Sequence, residues 1–442
     1  MTIQLSDHFT YGKLIKFTIP SIVMMIFTSI YGVVDGIFVS NYVGKTPFAA
    51  INLIWPVCMI LGAVGFMIGT GGCALVSKLL GEGEEKRANQ IFSMLIYVSV
   101  VAGLVLATSG FIFMRRLAVV LGAEGEMIGD ATTYGRILMV SLVCFIIQNE
   151  FQSFFVAAEK PQLGLAVTVA AGLTNIVLDA LLIVGFDKGL AGAAWATAIS
   201  QMVGGVIPLI YFICSKNSKL KLVRPTVDLR ALGKTCTNGS SEMMTNLSMS
   251  VVSMIYNFQL LKLAGENGVA AYGVIMYISF IFVAIFIGYS VGSAPIISYN
   301  YGSGNDAELK NMYKKSMTLV FAASIVMTVL GIALSGILSK VFVGYDEQLF
   351  DMTKRAMIIY SFVYLIMGFN IFGSSFFTAL NDGLVSAFIS FLRTLLFQVV
   401  AVLLLPIWLG LDGIWFAVVV AEVLAIVVTG YFIVTKRKKY KY

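Results

Sequence analysis

Twelve apolar runs of about twenty or more residues follow one another along this 442-residue chain, separated by short polar breaks. At about 1.5 Å per residue each run is long enough, as a helix, to cross a hydrocarbon core of about 30 Å. In that medium a segment must satisfy its own backbone N–H and C=O groups, so only helices and closed barrels span it, and runs of this length select the helix. The runs lie near 13–40, 48–78, 90–113, 132–158, 163–185, 190–214, 232–262, 268–300, 312–338, 352–380, 384–407 and 412–436, and are numbered here as spans 1 to 12. Hydrophobic residues make up 59% and charged residues 12%, against about 45–50% and about 25% in soluble domains. We expect an all-α integral membrane protein. The run after Lys13 and Lys16 is of full span length without an evident cleavage site, so it is expected to stay as the first span.

The chain also reads twice. Gly81-Glu82-Gly83 returns as Gly302-Ser303-Gly304, and Gly189-Leu190-Ala191-Gly192 returns as Gly410-Leu411-Asp412-Gly413, both 221 residues on. Phe154-Phe155-Val156-Ala157 against Phe376-Phe377-Thr378-Ala379 keeps that register to within one residue. Six spans per half is an even number, so both halves enter the membrane from the same side, as parallel repeats about an axis along the membrane normal. The expected organisation is a first lobe at 1–214, a linker at 215–231 and a second lobe at 232–442. Twenty of the thirty Lys and Arg fall on the side of the termini, nine on the other, and Arg393 falls within a span. Both termini and the basic linker are therefore expected in the cytoplasm. This asymmetry accounts for the net charge of +7 without a nucleic-acid partner.

A carboxylate in the bilayer core costs several kcal/mol, so it faces a cavity or a partner and is a functional candidate by default. Asp35, Glu150, Asp179, Glu242 and Glu422 fall inside spans. Asp35 in span 1 and Asp179 in span 5 match in depth, both in the outer half. Thr168, Gly172, Asn175 and Asp179 follow i, i+4, i+7 and i+11, which puts a small and polar stripe on one face of span 5. The shift of 221 sets Tyr256 opposite Asp35, Leu396 opposite Asn175, Val400 opposite Asp179 and Val418 opposite Thr197. Scaffolding shared by both halves would not need the polar set in one half alone. Two carboxyls in one low-dielectric pocket repel each other, so one proton or one Na⁺ would be held there. Two readings follow: an ion site in the first lobe, or a hydrogen-bonded pair tying helices together. Pro20 removes a backbone hydrogen bond in span 1, as a hinge or as a fixed kink.

Glu242, Asn246, Ser253 and Asn257 form a polar stripe along span 7, joined by Met249 and Tyr256, and Glu150 sits with Gln148, Asn149 and Gln152 in span 4. With Tyr31 these are the candidates for the path of a cationic substrate, or else cross-links between helices. Methionines concentrate in spans 1, 2, 7 and 8, which suits a pocket for flat hydrophobic cations as well as ordinary packing. Glu422 has Arg393 as a conceivable partner in the neighbouring span and is read as structural. Gly69-Thr70-Gly71-Gly72 lacks a following Lys-Ser or Lys-Thr and is no phosphate loop. The single histidine, His8, and five cysteines without CxxC spacing leave no metal cluster or histidine chemistry. No enzyme and no cofactor are expected, so the energy has to come from an ion gradient, H⁺ or Na⁺.

Asp35 in Val33-Val34-Asp35-Gly36, the run Gly189-Leu190-Ala191-Gly192-Ala193-Ala194-Trp195-Ala196-Thr197, the turn Ala157-Ala158-Glu159-Lys160-Pro161 and the twelve-span duplication together resemble the multidrug and toxic compound extrusion (MATE) family, in its DinF-like, MepA-like bacterial branch. The resemblance implies two six-helix lobes in a V. It also implies a first-lobe cation site on Asp35, Asn175, Asp179 and Thr197, a helix 1 hinge at Pro20, and exchange of H⁺ or Na⁺ for lipophilic, mainly cationic drugs. The NorM branch relies on acids in helices 7 and 10, and span 10 has none after Asp351 at its mouth, while Glu242 remains in span 7. The expected setting is the bacterial inner membrane, with lipid as surroundings and a single chain as the working unit. The rival reading is a flippase for lipids or lipid-linked sugars, which would favour a cationic cavity for phosphate, whereas the cavity candidates here are acidic.

Overall fold

A computed structural model gives the fold and describes residues 3–43, 45–215 and 218–442. Lys216, counted above with the basic linker, lies outside the described residues. The first lobe consists of helices Tyr11–Tyr42, Lys45–Gly81, Glu85–Val120, Glu126–Ala157, Pro161–Asp179 and Gly189–Cys214, which are spans 1 to 6. Span 5 continues past Asp179 as a π-helical turn, Ala180–Gly185. Spans 7 and 8 lie within Leu229–Gly302 as two helices, separated where Gly265 takes φ 62° and ψ −150°. Only glycine adopts that geometry without strain, so the reversal expected near 263–267 is a one-residue hinge. Span 9 is Asp306–Val343, and span 10 is a bent pair, Glu347–Ser361 and Tyr364–Ala379, meeting at 49°. Span 11 is Gly383–Phe391, a π turn Leu392–Leu396 and Phe397–Leu409, and span 12 is Leu411–Tyr440. Among the described residues ten helices are each long and apolar enough to cross a membrane, and the bent pair makes eleven. Counting Leu229–Gly302 as two helices on either side of Gly265 makes twelve.

Spans 1, 2, 7 and 8 form the seam between the lobes, and glycine lets their backbones touch. A Cβ at Gly81 would overlap the Tyr299 carbonyl, and one at Gly302 would overlap the Lys78 carbonyl. Lys78 and Tyr299 are 221 residues apart, as are Gly81 and Gly302, so this is one contact made twice. Gly71 against Gly239, and Gly292 against Thr18, repeat in the same way. Self-reciprocal contacts of this kind require a pseudo-two-fold axis running between the lobes. These close approaches all lie in the half of the seam nearer the termini. Gly288 and Gly292 of span 8 press on Ser21, Ile22 and Thr18 of span 1, so the turn of span 1 that carries Pro20 packs on span 8 by its other face.

Residues 3–10 complete the closure on that face. Leu5 N–H donates to Glu159 of the first lobe at 2.6 Å, and Phe9 N–H donates to Glu308 of the second at 3.0 Å, while His8 Nδ1 lies 2.6 Å from Glu308. Leu5 and Phe9 are fully buried. Phe9→Ala is expected to cost about 3–5 kcal/mol, more than any single hydrogen bond of the tail at about 0.5–1.5 kcal/mol. The tail should then detach, and a lone cysteine placed at Asn300, buried beneath the Leu5 carbonyl, in a cysteine-free background should gain labelling by a water-soluble maleimide. Unchanged labelling would contradict a clamping role.

The linker enters span 7 through Asp228, and the helix starts at Leu229, three residues earlier than the expected start at 232. Asp228 accepts from Ala231 N–H at 2.9 Å as the N-cap. Its carboxyl is held below the usual aspartate value, first by that backbone N–H and then by Arg87. A lowered folded-state value makes this stabilisation present above the unfolded value of 3.8 and lost as pH falls through the folded one. Asp228→Ala should therefore cost about 1 kcal/mol at neutral pH, read as a lower melting temperature, with the gap closing in acid.

Candidate functional site

Asp35 lies two turns below the end of span 1 at Tyr42, slightly deeper than the end of its apolar run suggested. Tyr31 and Asp35 share a face of span 1 at i, i+4, and Asn175 and Asp179 share a face of span 5 in the same way. Gly172 allows the two helices to meet, because a Cβ there would stand 2.5 Å from Phe27 Cε1 and 3.0 Å from Tyr31 Cδ1. Thr168, Asn175 and Asp179 are all buried, as the stripe predicted. The side chains of Asp35, Asn175 and Asp179 are immediate neighbours.

What distinguishes this cluster is what it lacks internally. Asp35 Oδ1, both Asp179 carboxyl oxygens and Asn175 Nδ2 are buried without a hydrogen-bond partner among the described residues. Buried polar groups in folded proteins are nearly always paired, and an exception calls for a cause such as a proton, an ion or a water. Two facing carboxylates can only accept, so they cannot satisfy each other until a proton or a cation stands between them. The α-helical ladder of span 5 ends at Asp179 and passes into the π turn Ala180–Gly185, a distortion that concentrates at functional positions.

Tyr134 of span 4 is the residue that sequence reasoning missed. It is buried, and its phenol lies within electrostatic reach of Asp35, Asp179 and Cys58. A tyrosine in an apolar run reads as packing, and no spacing rule would have singled it out. Thr197 is half-buried on span 6, which packs against span 5. Among the described residues it makes no hydrogen bond to Asp35, Asn175 or Asp179.

Most residues assigned to a substrate path sit inside a lobe. Gln148 packs its amide on Gly204 of span 6, and Gln148, Gln152 and Thr168 line a small cavity with Phe151, Phe155, Val167 and Pro208. Asn149 is buried, and Glu150 is fully buried beside Ser99 and the backbone of Gly69, both of its oxygens unpartnered. Gln148 and Gln152, four apart, share the face toward spans 5 and 6, while Glu150 lies on the face toward spans 2 and 3, so the set is enclosed from both sides within the first lobe. Tyr256 stacks on Tyr272 at 5.1 Å in the second lobe's core, with Ser253 beside Tyr272. Asn246 donates to the Glu242 carbonyl at 2.8 Å. Glu242 and Asn257 are half-buried and Met249 is 44% exposed, so of the span 7 set these remain toward the outside of the lobe.

In the second lobe the charges are closed on each other. Arg393 Nε lies 2.7 Å from Glu422 Oε1, Asn370 Nδ2 donates to Glu422 Oε2 at 2.6 Å, and Thr429 donates to Asn370 Oδ1 at 2.9 Å. The expected Arg393 to Glu422 partnership is present, with Asn370 as an unforeseen third member. No group of three or more metal-ligating side chains occurs among the described residues.

The MatE family model matches the chain twice, at residues 20–181 and 243–404, together nearly three quarters of its length. The multidrug export protein MepA of Staphylococcus saprophyticus is 26% identical over 367 residues, covering 81% of this chain and 80% of that protein. MepA of Staphylococcus aureus is 27% identical over 309 residues, covering 69% and 67%. Among solved structures, a MATE crystallised with MaL6 superposes with a TM-score of 0.92 at 21% identity over 98% of both chains. An outward-facing multidrug resistance MATE transporter of the MOP superfamily gives the same TM-score at 21% identity, covering 98% of this chain and 97% of that one. The two matched segments fall one on each half of the duplication, and the superposition covers both lobes. The chain is a multi-pass membrane protein and a transporter, not an enzyme, and it belongs to the MatE family.

Proposed function

We propose that this chain is a secondary active exporter of lipophilic, mainly cationic small molecules, driven by inward flow of H⁺ or Na⁺ through an exchange site at Asp35 and Asp179. The observation that carries the proposal is the buried carboxyl pair with its unpartnered oxygens, confined to one lobe of a duplicated membrane protein. Binding a cation there removes the repulsion between spans 1 and 5. Span 1 also packs on span 8 at the seam, so a rearrangement at Asp35 can reach the contacts that hold the lobes together on the termini face. Pro20, in the same turn of span 1 as those contacts, lacks the backbone hydrogen bond that would resist bending. The MepA relatives are multidrug export proteins by name, and a substrate of that class fits an acidic rather than a basic lining.

The flippase reading has less support. Its phosphate headgroup needs an available cation within the membrane, and Arg393 is committed to Glu422. The charge asymmetry of the loops supports cytoplasmic termini in the inner membrane, with the lobes meeting near the linker 215–231. The test is ethidium efflux from everted vesicles under an imposed pH gradient and, separately, an imposed Na⁺ gradient. One gradient should drive efflux and the other should not, and efflux indifferent to both would sink the proposal.

A further inference from the structure

On the termini face the loop between spans 10 and 11 reaches across the seam. Asn381 Nδ2 donates to the Ala74 carbonyl of span 2 at 3.2 Å, and Asn238 Nδ2 of span 7 donates to Asn381 Oδ1 at 2.7 Å. Lys78 lies one turn beyond Ala74 toward that face, and Lys234 lies one turn before Asn238 toward it. Both therefore gather near Asp382, the residue after Asn381, and Lys234 is within electrostatic reach of Asp382, Lys78 and Lys439. Span 12 brings two more cations, Lys436 and Lys439, at 3.7 and 3.9 Å from Asp382 Oδ2, which already accepts from the Tyr440 hydroxyl at 2.6 Å. Lys78 sits over the Tyr301 ring at 5.8 Å and Lys439 over the Tyr440 ring at 4.7 Å, and the two rings meet edge to face at 5.6 Å. Four ammonium groups from both lobes thus share two carboxylates, Asp382 and Glu82, which lies 3.2 Å from Lys78. Lys234 is exposed and takes part in no ion pair among the described residues. Like charges gathered at a closed contact repel, so the arrangement is short of an anion.

We propose that this patch binds the phosphate of an anionic phospholipid in the leaflet on the termini side, linking Lys78 of the first lobe to Lys234 and Lys439 of the second and favouring the closed arrangement of that face. Position selects a lipid over a soluble anion. Each lysine stands near the end of a membrane-spanning helix, at the depth of the headgroups, where basic side chains are drawn to anionic lipid. Leu384 and Phe388 are 72% and 49% exposed and continue from Asp382 along span 11 at i, i+4, an apolar column for an acyl chain below the charges. Phe388 meets Phe432 of span 12 at 6.0 Å, one turn from Lys436, so the apolar column and the cations lie on the same side of the bundle. Nothing in this contact depends on which ion moves at Asp35 and Asp179.

To test this, the full-length chain is purified in detergent and melted with increasing dioleoylphosphatidylglycerol, with dioleoylphosphatidylcholine, and with inorganic phosphate at matching phosphate concentration. Melting should rise saturably by several degrees with phosphatidylglycerol alone, as ligand binding to the folded state requires. Lys234→Gln should raise the half-saturating lipid concentration about fivefold, the loss of one cation near the membrane surface. In plain detergent it should melt no lower than the parent, since it removes a like charge. Lys439→Gln should act in the same direction, while Lys86→Gln, an exposed lysine at the start of span 3, should leave the lipid response unchanged. In vesicles, a lone cysteine at Asn300 should label faster in phosphatidylcholine alone than in a mixture with phosphatidylglycerol, and Lys234→Gln should shrink that difference. An equal rise with phosphatidylcholine or with phosphate would overturn the lipid assignment. So would an equal loss from Lys86→Gln, which marks general surface attraction. Lower melting of Lys234→Gln in plain detergent with an undiminished response to lipid would make the lysine merely structural and sink the proposal, and labelling indifferent to lipid would overturn the link to closure.

Discussion

Asp35→Asn and Asp179→Asn are each expected to collapse gradient-driven drug efflux to the level of cells without the transporter, while the protein still inserts and folds. A membrane potential supplies about 2.3 kcal/mol per charge per 100 mV, and about 1.4 kcal/mol is a factor of ten, so coupling to one ion sustains roughly fiftyfold accumulation. Removing either carboxyl removes the site where the ion is held, and the accumulation ratio should fall from about fifty to near one. Folding should survive because the pair is an unsatisfied group in the native state. Both Asp179 oxygens are buried without a partner, and replacing one carboxyl by an amide supplies donors to the other. Transport assays with membrane abundance measured by immunoblot separate the two effects. Either variant exporting like the parent would show that the carboxyl pair is structural.

Gly81→Val and Gly302→Val are expected to be equally disabling for a different reason. Each added side chain would collide with a backbone carbonyl, Tyr299 in one case and Lys78 in the other, and backbone cannot rotate away as a side chain can. The strain is relieved only by parting the lobes on the termini face. Each lobe keeps buried clusters of its own, such as that around Phe92, Phe154 and Phe212 in the first and Tyr256, Tyr364 and Trp415 in the second. The lobes should therefore stay folded while the closed arrangement is lost. Efflux should fall to background, and a cysteine at Asn300, buried in the closed arrangement, should become accessible to maleimide. The repeat predicts matching losses for the two variants, and a large loss in only one of them would contradict the pseudo-two-fold contact.

The span count was legible because hydrocarbon imposes a minimum length, and the parallel arrangement followed from an even number of spans per half. The carboxyl pair was legible because charge is rare in spans, and Asp35 stood out against Tyr256 in the duplicated half. Closeness in sequence misled at Gln148, Asn149, Glu150 and Gln152, since a cluster of polar residues along one span does not say which neighbouring helices each of them meets. Tyr134 and Asn370 were invisible for the converse reason. Each is ordinary in its own helix and is made important by neighbours from others, Asp35 and Asp179 for Tyr134, and Glu422 for Asn370.

The bends followed the same division. Gly265 lay between two expected spans, and only the fold showed that this one residue makes the break between their helices. Span 10 read as a single run and is a pair of helices at 49°. Sequence by itself determined the membrane setting, the twelve spans, their repetition and the presence of acids at matched depth, because each follows from the local cost of exposing backbone or charge to hydrocarbon. Tertiary structure alone decided which acids lack partners and which face of the seam is closed. Those properties depend on close approaches between helices hundreds of residues apart, such as Gly81 to Tyr299, that no local pattern encodes.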